Sequence, residues 1–178
     1  MADVRITLYK LAEYVRNHYQ FSELPKNLYE AMSNISYADL DGNNTLDKKE
    51  IEELKLSEEI MKEICTTEDG EISETVPLRK LLKHILLPKA EEHWERLFNI
   101  VDKDRSGYIE TDEMETYLAL CGVLGAESEK AMNTIKSFDS DNDMKFSFKE
   151  FSEYLKTDFC NRIDELVPAV GKGPSDGL

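Results

Sequence analysis

Apolar residues recur at helical spacing along much of the chain. Leu8, Leu11, Val15 and Tyr19 fall on one face of a helix predicted within residues 3–20, with Arg5, Lys10 and Arg16 elsewhere on it. The pattern returns in Leu78, Leu81, Leu82 and Ile85, in Trp94, Leu97, Phe98 and Val101, and in Ala131, Ile135 and Phe138. Between these helices lie short, strongly polar stretches that each carry one inward candidate, Leu46, Ile109 or Phe146. A lone apolar residue in a polar loop is buried if loops zip together in pairs through a short two-stranded bridge. The expected fold is therefore all-α, with helices paired around polar loops and short β bridges joining those loops.

The polar stretches share a spacing. "DLDGNNTLDKKE" (39–50), "DKDRSGYIETDE" (102–113) and "DSDNDMKFSFKE" (139–150) place oxygen-bearing side chains at loop positions 1, 3, 5, 9 and 12. Acidic clusters alone would read as solvated surface, but this fixed spacing suits a hard divalent cation. Calcium takes six to eight oxygens, and such a loop supplies side chains at 1, 3 and 5, a backbone carbonyl at 7, a ligand at 9 and a bidentate glutamate at 12. The candidate ligands are Asp39, Asp41, Asn43, the Thr45 carbonyl, Asp47 and Glu50 in the first loop. In the next they are Asp102, Asp104, Ser106, the Tyr108 carbonyl, Glu110 and Glu113, and in the last Asp139, Asp141, Asp143, the Lys145 carbonyl, Ser147 and Glu150. Three calcium ions are expected, with magnesium as competitor, because each loop has four acidic side chains at its ligand positions.

Position 6 of such a loop needs a left-handed backbone. Gly107 supplies it freely and Asn44 tolerates it, whereas Met144 adopts it at a cost of roughly 1–2 kcal/mol. Four carboxylates around one dication outweigh that strain, so the last loop is expected to bind, about tenfold more weakly than with glycine.

On these loops the chain is identified as a member of the EF-hand calcium-binding superfamily. The run from "LFNIVDKDRSGYIETDE" through "FKEFSEYLKTDFCNRIDEL", within residues 97–166, is similar to the sarcoplasmic calcium-binding proteins and calerythrin. That resemblance implies a compact helical protein with some silent hands, whose role is calcium buffering rather than target activation. The grainins, EF-hand storage proteins of amoeba granules, resemble the chain in size. The N-terminal half departs from the first group through its leading helix and its short first interval.

EF-hands pair, so a fourth unit is expected. Framing on Ile72 gives "CTTEDGEISETV", Cys65–Val76, with Gly70 at position 6 but no carboxylate at position 1 or 12. It is read as a metal-silent hand that pairs Ile72 with Leu46, with weak binding through Thr67, Asp69 and Glu71 as the alternative. Pro77 is placed as the first residue of its exiting helix. The first interval is short, so "IEELKLSEEIMKEI" must hold two abbreviated helices, with Ser57 as the N-cap between them. Pro88 is expected to break the chain between the two halves. The domains expected are an N-terminal amphipathic helix (1–22), a first EF-hand pair (23–87), a second pair (89–166) and a flexible Gly/Pro/Ser-rich tail (167–178).

Charge and composition narrow the function. The 178 residues carry 37 acidic and 22 basic side chains, a formal charge of −15, which repels nucleic acid and favours cations. Cys65, Cys121 and Cys160 are widely spaced and form no zinc or disulfide pattern. The N-terminus shows no apolar signal core, and Ala2 stands where N-myristoylation needs glycine. His18, His84 and His93 form no catalytic or metal spacing, and no nucleotide or nucleophile motif is present, so no catalysis is expected. The six methionines do not gather in the exiting helices, which favours a calcium buffer or store over a sensor that opens a groove for a target protein. The leading helix is expected to pack on the protein itself, with docking to an acidic membrane surface or to a partner as the alternatives. A monomer in the cytoplasm, or alternatively in a storage granule, completes the expectation.

Overall fold

A computed structural model describes residues 4–39 and 41–168. The expected tail is outside these residues from 169 onward, while Val167, placed in that tail by the sequence, is buried and its N–H donates to the Ile163 carbonyl. Among the described residues the chain forms helices joined by two small antiparallel strand pairs. None of these helices is long and apolar enough to cross a membrane.

The order is α1 (Val4–His18), α2 (Lys26–Asn34), β1 (Thr45–Leu46), α3 (Lys48–Glu53), α4 (Glu58–Cys65), β2 (Val76–Pro77) and α5 (Leu78–Glu91). The second half runs α6 (Trp94–Val101), β3 (Ile109–Glu110), α7 (Thr111–Leu120), α8 (Ala126–Lys136), β4 (Lys145–Phe146) and α9 (Phe148–Leu166). The short first interval yields the two abbreviated helices α3 and α4, and Ser57 caps α4 by accepting from the Ile60 N–H. Gly122 ends α7: at φ +81° it donates to the Ala119 carbonyl while Val123 donates to that of Leu118, the paired bonds of a left-handed helix stop.

The core gathers around α9, which lies against α1, α5 and α6, while α2 packs on α5. Phe151, Leu155, Phe159 and Ile163 of α9 are buried at helical spacing. The predicted faces of α1 and α6 are buried as well: Leu8, Leu11, Val15 and Tyr19, and Trp94, Leu97, Phe98 and Val101. Each such side chain contributes about 1.5–3 kcal/mol of burial energy. Polar contacts fix the register of α1. The Trp94 indole donates to the Tyr19 hydroxyl at 3.0 Å, the Tyr117 hydroxyl donates to the His18 carbonyl at 2.6 Å, and the Tyr14 hydroxyl donates to Asp158. Arg96 adds bonds to the carbonyls of Tyr19 and Gln20.

Three local expectations are corrected. Leu46 pairs with Val76, not with Ile72. Val76 is 0% exposed and Ile72 78% exposed, so burial selects the later residue, and Ile72 closes a local hairpin against Thr66 instead. Gly70 turns that hairpin at φ +82°, its N–H bonded to the Thr67 carbonyl. Pro77 is the N-cap of α5, one residue before the helix, because its backbone is extended at ψ 135°. Pro88 does not break the chain: α5 runs through it to Glu91, at the loss of one intrahelical bond, and the interruption falls at Glu92 and His93.

Burial lowers the pKa of His18 and of His93 below the ordinary 6.5. Such a base has no effect on stability above pH 6.5, where folded and unfolded chains are both neutral. Below it the unfolded chain protonates first, and stability falls until the folded values are reached. Melting temperatures are expected to drop as pH is lowered through 6.5, and less steeply for His18→Gln. Parallel curves for the two proteins would contradict this role for His18.

Candidate metal centre

Each of the three acidic loops begins where an entering helix or turn stops and ends in the first turn of the next helix. The first loop closes on α3, the second on α7 and the third on α9. The position-1 aspartate gathers the loop backbone. Asp39 accepts from the N–H groups of Asn43 (3.0 Å) and Asn44 (2.8 Å), and Asp102 from those of Ser106 (3.1 Å) and Gly107 (2.9 Å). Asp139 accepts from the Met144 N–H at 2.9 Å. One carboxylate thus curls each loop so that side chains at 1, 3 and 5 converge.

The glutamate at position 12 enters from the helix. Glu50 and Asp47 form a reciprocal capping box, as do Glu113 and Glu110, while the Glu150 N–H donates to the Ser147 hydroxyl at 3.2 Å. These caps place the glutamate at the third residue of the exiting helix and turn it toward the loop. Glu113 reaches furthest: Oε2 accepts from the Glu110 N–H (3.0 Å) and Oε1 from the Asp104 N–H (3.2 Å).

Carboxylate oxygens therefore meet in three places. Asp39, Asp41 and Glu50 bring oxygens within 4.8 Å of one another, as do Asp102, Asp104 and Glu113, and Asp139, Asp141 and Asp143. Asp47 and Glu110 stand at the helix N-termini rather than in those clusters, and Glu150 is outside the third. Asn43 donates to Asp41 and accepts from the Thr45 N–H, while the Ser106 hydroxyl donates to the Tyr108 carbonyl. Lys145 sends its ammonium across the bridge to Glu110 at 3.5 Å, leaving its carbonyl as the relevant group.

The donor set is all oxygen, which fits calcium or magnesium and not a soft metal. Two buried acceptors, Asp139 Oδ1 and Glu150 Oε2, have no hydrogen-bond partner within the protein, as expected of oxygens shaped to meet a cation. Burial, with the nearby charges of Asp141, Asp139 and Asp143, raises the pKa of Glu150, and burial likewise raises that of Asp39. Asp104 moves the other way, because the Ser106 N–H and hydroxyl favour its charged form.

The loop backbones hold a feature that the sequence reading missed. Positive φ occurs at position 4 as well as position 6 in every acidic loop: Gly42 (70°) and Asn44 (63°), Arg105 (55°) and Gly107 (87°), Asn142 (56°) and Met144 (61°). Glycine or asparagine at two of the three fourth positions was the available signal. Met144 is 65% exposed, so its side chain meets no obstacle and its cost is that of the backbone alone. Met144→Gly is expected to tighten the last loop by up to about tenfold and leave the others unchanged. Site-resolved calcium titration checks this, and equal affinity before and after would remove the strain argument.

Comparison with known proteins adds an independent line. Residues 91–156 match the family model for an EF-hand domain pair. A 16 kDa calcium-binding protein of Schistosoma mansoni is 26% identical over 126 residues, covering 66% of this chain and 87% of its own. Calcium-dependent protein kinase 20 of rice is 33% identical over 120 residues, 67% of this chain but 16% of the kinase. Calcium-dependent protein kinase 34 of Arabidopsis thaliana is 29% identical over 128 residues, 72% of this chain and 19% of the kinase. The chain thus spans less than a fifth of the length of these kinases.

Proposed function

We propose, from the premise that the chain is an EF-hand protein, that it is a calcium buffer or store holding three ions, in loops 39–50, 102–113 and 139–150. The ligands in this reading are the oxygens at positions 1, 3, 5, 9 and 12 with the carbonyls of Thr45, Tyr108 and Lys145. The second hand takes none. Magnesium competes for the same oxygens, and the carboxylates serve ions rather than catalysis. The protein acts as a monomer whose partner is the ion, in the cytoplasm or, as the alternative, a storage granule.

The observation that carries the buffer reading is the docking of α1. A sensor must expose an apolar groove when calcium binds. Here Leu11 and Val15 of α1 and Tyr19 just beyond its end are fully buried in the common core, and Tyr14, Tyr19 and the His18 carbonyl tie the helix to α9, α6 and α7. Met32, Met114 and Met132 are buried within that core rather than lining a surface. Calorimetric titration is expected to count three calcium ions. A count of two, with the first loop silent, would contradict the assignment of Asp39–Glu50.

A further inference from the structure

Val76 stands in β2 where Leu46, Ile109 and Phe146 stand in the other three strands, β1, β3 and β4. Four residues beyond each of those three comes the glutamate that closes the loop, Glu50, Glu113 and Glu150, at the third position of its helix. Four residues beyond Val76, at the third position of α5, comes Lys80. Its half-buried side chain turns back into the loop, and its ammonium donates to the Thr66 carbonyl at 2.7 Å. Thr66 is the C-cap of α4, the place held in the third hand by Asp102, the C-cap of α6.

We propose that the Lys80 ammonium is the resident cation of the second hand, closing it without metal and so holding the first loop in its calcium-binding shape. The charge lies at the carbonyl end of α4, where the helix dipole favours a cation. For α5 alone the choice is unfavourable, since a lysine in a first turn opposes the dipole, so the contact with α4 explains what helix propensity does not. The ammonium thus joins the end of the entering helix to the start of the exiting one, the same two elements that a metal joins in the other hands. The longer stretch between them forms the Thr66–Ile72 hairpin, which keeps its acidic side chains outside the bridge.

The consequence passes through the strand pair. Thr45, whose carbonyl is the proposed ligand at position 7, pairs with Pro77, and the Leu78 N–H donates to the Asn44 carbonyl at 3.0 Å. A closed second hand therefore fixes the backbone of the first loop at positions 6 to 8 before calcium arrives. Lys80 is a positioning residue for that loop, and this part of the inference rests on the first loop's binding calcium.

Two readouts on the full chain separate the inference from that premise. In calcium-free protein, Lys80→Met, which keeps the stem and removes the charge, is expected to speed amide exchange at Leu46, Val76 and Leu78 by about tenfold or more, with Ile109 and Phe146 as unchanged internal controls. In calcium titration the same variant is expected to weaken the first loop by about tenfold and spare the C-terminal pair. Lys80→Arg, which keeps a donor cation, is expected to retain most of both properties. Unaltered exchange at Val76 in Lys80→Met overturns the proposal, as does equal loss at both bridges, which would mark a general loss of stability. If the wild-type first loop takes no calcium, the three-ion reading fails on that result, and exchange at Val76 still decides whether Lys80 closes the second hand.

Discussion

Replacing Glu113 with glutamine is expected to lower the calcium affinity of the third hand by about a hundredfold, equivalent to about 2.7 kcal/mol. Glutamine preserves the shape of the side chain but removes the charge and one of the two acceptor oxygens. In Glu113 both oxygens are already drawn into the loop, by the N–H groups of Glu110 and Asp104, and its carboxylate meets those of Asp102 and Asp104. The glutamine NH₂ would face amide donors and repel a cation from the same position. Because Ile109 pairs with Phe146, part of the loss should pass to the last loop, whereas the first loop, bridged to Val76, should be unaffected. Calorimetric titration checks both statements. A change of less than about threefold at the third hand would show that Glu113 is not a principal ligand.

Leu11→Ala is expected to destabilise the protein by about 2–5 kcal/mol, lowering the melting temperature by roughly 4–20 °C for a chain of this size. Leu11 is fully buried at the centre of the apolar face of α1, and removal of its side chain leaves a cavity beneath a helix already fixed by its tyrosine and Trp94 contacts. Those polar contacts prevent the backbone from sinking to fill the space, which places the cost in the upper part of the range. The same cavity lies under the helix that covers the core, so dye-accessible apolar surface should appear with the loss of stability. A melting temperature unchanged from the wild type would mean that α1 contributes little to the folded state.

The loops and their helices were legible because a spacing suited to a hard cation fixes where each loop begins and ends. The convergence of Asp102, Asp104 and Glu113 can be read from sequence intervals alone, and the buried apolar residue at position 8 follows from the bridge. The second hand was misread for the same reason: without ligands to set the frame, Gly70 and Ile72 imitated a loop that the structure places four residues later, on Val76 and Lys80. Pro88 was misleading because a proline costs a helix one bond and some strain, which a well-packed α5 sustains with Leu81, Leu82, Leu86 and Ala90 all buried. The second left-handed position had a sign in the residue type at Gly42 and Asn142 but none at Arg105, so no shared pattern marked it. The docking of α1 could be anticipated from its apolar face, but the partners of Tyr14, Tyr19 and Trp94 depend on tertiary contacts across the whole chain.

The proposed mode of action is that calcium is held without the core being opened. It is tested most directly by fluorescence of an apolar dye added to the calcium-free, magnesium-loaded and calcium-loaded protein, with emission of the buried Trp94 recorded in the same samples. No calcium-specific rise in dye signal is expected under conditions where Trp94 or calorimetry reports that the ion has bound. A large rise with calcium alone would mean that α1 releases its groove on binding, and would contradict the buffer in favour of a sensor.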